Sequence, residues 1–256
     1  MNTVRRVTKL SWWEVKTFNQ CPLAWDFLYL QRKKGRQPQY MIFGKAVHKA
    51  MEVFVEDFYE TKRDFALAVS NATTAFDAIY AFEGPNVNKW LPIGKKVVEG
   101  LCNWTQEHEI EPVASEPWLS KRVTRNYTYL FTFRGKADLL AKVDGVMTVI
   151  DWKTSTTGYE NETSLEDIRQ LGCYRLLTDS TYVQQAFVVG MKPGGDVHWE
   201  PRRVTDEQLK DLRAWIAGIH HKMERMERLT GVYDSDICRW CLAQPEFCEG
   251  ASNIAY

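Results

Sequence analysis

Apolar residues recur at helical spacing over the first hundred positions. Between residues 10 and 31, Leu10, Trp13, Phe18, Cys21, Leu23, Trp25, Phe27, Leu28 and Leu30 supply an apolar face, the signature of an amphipathic helix. Ser11 stands where an N-cap belongs and Glu14 follows three residues later, the spacing of a capping box. Pro22 predicts a kink or a new helix start, because proline lacks the N–H that a helix interior needs. A basic loop over 32–39 follows, then two amphipathic helices over 42–60 and 64–82. The stretch from Gly84-Pro85 to Gly94 predicts a loop, and a further helix is expected over 95–109.

The pattern then changes to period 2. Val113–Val123, Tyr127–Val143 and Val146–Lys153 are rich in Val, Thr, Tyr, Phe and Ile, residues that suit strands. Asp144-Gly145 between the last two is a two-residue hairpin signal. A helix capped by Ser164 is expected over 164–179. Strands over Tyr182–Met191 and Val197–Val204 flank the turn Pro193-Gly194-Gly195-Asp196. A long helix is expected over 205–229, opening at Thr205 with Gln208 at the box position. The tail, 231–256, is irregular and carries three cysteines. Helices, then strands with one interposed helix, then a helix and the tail give an α/β class.

Composition adds that the chain folds: 45% of its 256 residues are hydrophobic and ten are Trp, unlike a disordered chain. There is no apolar run of the length a membrane span needs and no apolar signal-peptide core near the N-terminus, so a cytoplasmic location without membrane contact is expected. Net charge is zero, but it is unevenly spread. Residues 1–49 hold ten Lys/Arg against two acids, so the remainder holds 23 against 31 of the totals of 33 and 33. A basic surface for phosphates beside an acidic site for metal ions fits that asymmetry; so does a basic face docked on the protein's own acidic part.

The hairpin fixes a relation between two of those acids. Around Asp144-Gly145, opposed residues have numbers summing to 289, so Asp138 faces Asp151. Two facing carboxylates repel unless a cation lies between them, and an oxygen-preferring ion such as Mg²⁺ or Mn²⁺ is the natural occupant. Lys153 emerges on the same strand face as Asp151. Its ammonium can orient a water or offset charge on a phosphate. Asp138, Asp151 and Lys153 are thus the parts that phosphodiester hydrolysis needs.

Cys238-Arg-Trp-Cys241 with Cys248 forms a C-x₂-C-x₆-C cluster, which reads as metal ligation rather than disulfide bonding in a cytosolic protein. Three ligands call for a fourth. Cys102 and Cys173 lie inside helical patterns and read as buried structural residues.

Asp138 followed by Asp151-Trp152-Lys153 resembles the PD-(D/E)XK nuclease superfamily. Gly44-Lys-Ala-Val-His48 resembles the G-x-x-x-H helix motif of its RecB-like, CRISPR-associated-exonuclease-like branch, and Gln170-Leu-Gly-Cys-Tyr174 the Q-x-x-x-Y motif. Glu116 matches an acid often found before the first Asp, and Cys21-Pro22 with the three tail cysteines is similar to the pattern of AddB. The resemblance implies a restriction-endonuclease-like mixed sheet flanked by helices, with an N-terminal helical region and a cysteine tail tied by a metal cluster. The division implied is 1–110 as the basic helical region with Cys21 and His48, 111–230 as the nuclease core, and 231–256 as the cluster tail packed on the N-terminal region. It also implies the site: His48, Asp138, Asp151, Glu116 and the backbone carbonyl of Trp152 around Mg²⁺ or Mn²⁺, Lys153 assisting water attack, and Gln170 and Tyr174 facing the site. Cys21, Cys238, Cys241 and Cys248 are the implied ligands of a [4Fe–4S] cluster, with Zn²⁺ as the rival occupant. The expected activity is exonucleolytic digestion of single-stranded DNA, with Trp12, Trp13 and Trp25 as candidate stacking platforms, although tryptophans in such helices more often belong to the core. Two alternatives remain open: a DNA-trimming subunit of a recombination or CRISPR adaptation complex (in antiviral defence or DNA repair, as a homo-oligomer or with partner proteins), and an inactive DNA-binding module.

Overall fold

A computed structural model describes residues 7–33, 37–83, 86–125, 128–155, 164–178, 183–191, 194–225, 231–232, 237–238, 241–243 and 248. Residues 34–36 of the basic loop, Tyr127, residue 179, Tyr182, Pro193, 226–229 and most of the tail lie outside the described residues. The chain forms two units. One comprises residues 1–37, 120–135 and 206–256, the other 38–119 and 136–205.

In the first unit the expected helix over 10–31 is broken. β1 (Lys9–Leu10) leads to α1 (Trp12–Gln20), and α2 (Pro22–Trp25) runs into a π-helical turn, Asp26–Leu30. Cys21 between the helices is extended, with φ −155°, because Pro22 excludes helical backbone from the residue before it. Ser11 caps α1: Glu14 N–H donates to its Oγ at 3.4 Å, and that hydroxyl donates to the Glu14 carboxylate at 2.7 Å. A three-stranded sheet has the order β1-β4-β3, with β3 Trp118–Arg125 and β4 Thr128–Lys136. α7, Asp206–Arg225, completes the unit beside α1.

Trp12 and Trp25 belong to this unit's core rather than to a stacking surface. Trp25 is 1% exposed and packs edge-on against Phe18, and Trp12 lies 6.2 Å from Trp215. Of the three candidate platforms only Trp13 is exposed, with Lys16 Nζ over its ring at 4.9 Å.

The second unit is a five-stranded sheet, order β2-β5-β6-β7-β8, with helices against it. Its strands are β2 Glu111–Ser115, β5 Leu139–Val143, β6 Val146–Ser155, β7 Gln184–Met191 and β8 Val197–Arg202. Only β6 and β7 are parallel; the hairpin β5–β6 has the expected register, Val143↔Val146 through Leu139↔Ile150. On one face, Ile150, Trp152, Leu139 and Ala141 pack with α3 (Gln39–Val55), α4 (Phe65–Glu83) and α5 (Val87–Glu107). On the other, Val149, Phe187 and Val189 pack with α6 (Leu165–Thr178). β7 is therefore buried on both sides, which explains its continuous apolar run Ala186-Phe-Val-Val189. The mixed α/β architecture is the expected one.

Three boundaries differ from the expectation, each for a physical reason. The loop expected up to Gly94 is mostly helix: Asn86, at φ 53°, turns the chain and α5 starts at Val87 with Pro92 inside it. The apolar face of α5 buries Val97, Val98, Leu101 and Cys102, and that burial outweighs the one hydrogen bond that Pro92 cannot make. The strand expected over 113–123 divides at Glu116-Pro117, and the one over 127–143 divides at Ala137-Asp138. At both breaks the chain leaves one sheet for the other, which a period-2 pattern does not record. No helix among the described residues is long and apolar enough to cross a membrane.

Candidate active site and metal centre

The two strand breaks are stitched to each other. Glu116 N–H donates to the Asp138 carbonyl at 2.9 Å, and Ala137 N–H donates to the Pro117 carbonyl at 3.2 Å. The stitching holds Glu116 at φ 52°, left-handed backbone that a non-glycine residue adopts at a cost of about 1–3 kcal/mol. As a result the Glu116 side chain lies beside Asp138. Asp138 sits one step beyond the hairpin ladder, and Trp152 N–H donates to its Oδ2 at 2.8 Å. The Trp152 ring turns the other way, into the core against Trp104.

α3 supplies the third group. His48 Nδ1 lies 3.2 Å from Asp138 Oδ1. One ligand atom each from His48, Glu116 and Asp138 falls within 4.8 Å of the others. An imidazole nitrogen with two carboxylate oxygens at that spacing fits a single divalent cation such as Mn²⁺ or Mg²⁺. Burial disfavours the His48 imidazolium, but the charge and hydrogen bond of Asp138, with Asp151 adding and Lys153 opposing, move its pKa upward overall.

Asp151 is 3% exposed on β6 and is gripped from α6. Gln170 Nε2 donates to its Oδ1 at 3.1 Å, and the Tyr174 hydroxyl donates to the same oxygen. Gln170 and Tyr174 stand one helical turn apart, which is how both reach one carboxylate. Lys153 is ion-paired with Asp151 Oδ2 and lies over the Phe187 ring at 5.2 Å. Burial pushes the Asp151 carboxyl up, Lys153 draws it down and Asp138 adds to the rise. Burial, then the charges of Asp151 and Asp138, push the Tyr174 phenol well up, so it stays a hydrogen-bond donor. His48, Glu116, Asp138, Asp151, Lys153, Gln170 and Tyr174 thus come together, and Trp152 contributes its backbone.

One member of the cluster was not anticipated. Lys136 is ion-paired with Glu116. Its position two residues before Asp138, on the same side of the chain, was the available signal, in the stretch Arg134-Gly-Lys-Ala-Asp138.

A family model described as the PD-(D/E)XK nuclease superfamily matches residues 9–248. The chain belongs to the PD-(D/E)XK nuclease superfamily. Membership makes it a metal-dependent nuclease of mixed α/β fold with nucleic acid as substrate, and His48, Glu116 and Asp138 form a group that could hold a divalent ion. No curated protein matches the chain. Among solved structures, the crystal structure of SSO0001 is similar at 14% identity and a TM-score of 0.39, over 86% of this chain and 91% of that one.

The first unit of this nuclease holds a second cluster. Cys21, Cys238, Cys241 and Cys248 line one cavity with Ala24, Val232, Ile237 and Ala243, and all are free thiols. Val232 N–H donates to Cys21 Sγ at 3.5 Å and Ala243 N–H to Cys241 Sγ at 3.4 Å, contacts that favour thiolate sulfur. Burial raises the Cys241 thiol, and the charges of Cys21, Cys248 and Cys238 raise it further. Four cysteines around one apolar pocket are the donor set of a Cys₄-ligated metal or cluster. Cys102 and Cys173 are buried elsewhere, and burial pushes both thiols up.

Proposed function

We propose that this superfamily member is an exonuclease of the RecB-like branch acting on single-stranded DNA, with a [4Fe–4S] cluster on Cys21, Cys238, Cys241 and Cys248. The observation that carries the catalytic part is the tight group of His48, Glu116 and Asp138 next to the Asp151–Lys153 pair. His48, Glu116 and Asp138 would hold the cation, with Asp151 and the Trp152 carbonyl completing its shell. A bound divalent metal supplies an acidified water and a polarised phosphoryl oxygen. The protein supplies the rest. Tyr174 and Gln170 fix the Asp151 carboxylate by its Oδ1, leaving the Oδ2 side to Lys153. The Lys153 ammonium orients the attacking water and offsets charge on the phosphate. The wall formed by Phe187 and Tyr174, both buried, lowers the local dielectric and strengthens these interactions.

The test uses anaerobically purified protein, end-labelled single-stranded DNA and Mn²⁺ or Mg²⁺. Progressive shortening, absent in Asp151→Ala and in EDTA, is the expected result; internal cuts would replace the exonuclease reading by an endonuclease one. No cleavage of single- or double-stranded DNA by folded protein would leave the trimming-subunit or binding-module alternatives. Chemical analysis for iron and acid-labile sulfide tests the cluster, and stoichiometric zinc in their place would overturn it.

A further inference from the structure

α3 has a sharply divided surface. Ile42, Phe43, Ala46, Val47, Ala50 and Met51 are buried in the core. Met41, Gly44, Lys45 and His48 lie at spacings of three and four residues, hence on one face. That face is open: Met41 is 40% exposed, Lys45 is exposed, and Gly44 and His48 are half-exposed. His48, at one end of the stripe, belongs to the candidate metal centre. The stripe from His48 to Met41 runs about 10 Å along the helix, enough to carry more than one nucleotide.

Gly44 is the residue that needs explaining. Glycine is a poor helix former, so mid-helix glycines normally have a packing reason. Gly94 and Gly100 on α5 have one: an added Cβ would fall 1.9 Å from the Phe76 ring and 1.9 Å from the Gly195 carbonyl oxygen, respectively. Among the described residues, a Cβ on Gly44 would meet nothing within 4 Å. Gly218 on α7 is also unobstructed, so space alone decides nothing; what sets Gly44 apart is its place one turn from His48 and next to Lys45. Packing among the described residues does not require the notch. A substrate backbone passing close to the helix would.

We propose that the outward face of α3 is the track on which a DNA strand lies as it enters the metal centre: the Gly44 notch admits the sugar–phosphate backbone, Lys45 binds a phosphate beside the scissile one, and Met41 with Tyr40 packs against a base. Tyr40 is 42% exposed at the helix start, where an aromatic ring can stack on a base of any identity. The inference rests on the nuclease reading and adds to it where the strand lies.

The test compares wild type, Gly44→Ala, Lys45→Gln and the control Lys142→Gln, which removes an exposed ion pair with Glu111 at the far end of the β2–β5 ladder. Binding of fluorescein-labelled oligothymidylate is followed by anisotropy in Ca²⁺, with gels showing that it stays intact. Melting temperature without DNA and Mn²⁺ affinity are measured on each protein. Gly44→Ala is expected to melt about 2 °C higher yet bind DNA about tenfold more weakly, because the methyl fills the notch. Lys45→Gln is expected to weaken binding about three- to tenfold and to make the log–log salt dependence shallower by about 0.7, the signature of one lost phosphate contact on a single strand. Lys142→Gln and all Mn²⁺ affinities stay at the wild-type value. DNA binding by Gly44→Ala equal to wild type, or an unchanged salt slope in Lys45→Gln, overturns the track even if the enzyme cleaves DNA. A wild type that neither binds nor cleaves DNA overturns the nuclease reading and the track with it.

Discussion

At the scale of single residues, the site is organised by what holds each carboxylate. Asp151 is oriented by Tyr174 and Gln170 and neutralised by Lys153. A hydrogen bond to a charged group contributes about 1.5–3 kcal/mol. Tyr174→Phe is therefore expected to lower kcat about tenfold to a hundredfold, with KM for DNA and the far-UV circular dichroism unchanged; a rise in KM with intact kcat would make Tyr174 a substrate-binding group instead. The Glu116 backbone is held by its left-handed φ and its N–H bond to the Asp138 carbonyl. Lys136 pairs with the Glu116 carboxylate that a metal would use. Because that lysine is two-fifths exposed and surface pairs are weak, Lys136→Ala is expected to tighten Mn²⁺ binding by only about two- to fivefold in calorimetry. Weaker Mn²⁺ binding would show that Lys136 orders Glu116 instead of competing for it.

At the scale of elements, helices α4 and α5 approach closely because Gly94 leaves room for the Phe76 ring. Gly94→Ala forces a methyl into a fully buried aromatic side chain. It is expected to destabilise the protein by about 1–3 kcal/mol in denaturant titration, opposite in sign to the same substitution at Gly44. α6, which presents Gln170 and Tyr174, begins at a capping box: Asp167 N–H donates to Ser164 Oγ at 3.1 Å and Ser164 N–H to Asp167 Oδ2 at 3.2 Å. Ser164→Ala removes half of it and is expected to lower stability by about 1 kcal/mol in the same titration. The caps at Ser11 and Ser164 were legible from the sequence because capping is local chemistry within four residues. The starts of α5 and the divisions at Glu116 and Ala137 were not, because burial and sheet membership decide them.

At the scale of the whole molecule, the cysteine cluster joins Cys21 to residues more than 200 positions later in the chain. A crosslink closing so long a loop removes a large part of the unfolded chain's entropy, on the order of 5 kcal/mol. On the proposed cluster, Cys21→Ser is expected to contain less iron and to melt well below wild type, whereas Cys102→Ser, outside the ligand set, keeps the wild-type metal content. Equal metal content in both variants would remove Cys21 from the ligand set.

What the sequence determined by itself is the chemistry carried by local order. Asp144-Gly145 set the hairpin register from Val143↔Val146 to Leu139↔Ile150, and strand period put Asp151 and Lys153 on one face of β6. Helical period placed Gln170 and Tyr174 on one face, and the motif order pointed to the superfamily whose family model matches residues 9–248. Only the tertiary structure decided which groups stand within ligand distance. It brought Glu116 to Asp138 through a left-handed residue and two backbone bonds, Glu116 to Asp138 and Ala137 to Pro117. It gathered His48, Glu116 and Asp138 into one tight group while α6 gripped Asp151. It also buried Trp12 and Trp25 and left Trp13 exposed, a choice between core and surface that the sequence left open. The physical reason is the range of the forces involved. Periodicity, turn chemistry and caps act over a few residues, whereas ligand geometry and burial depend on how distant segments pack, and packing is a property of the assembled core.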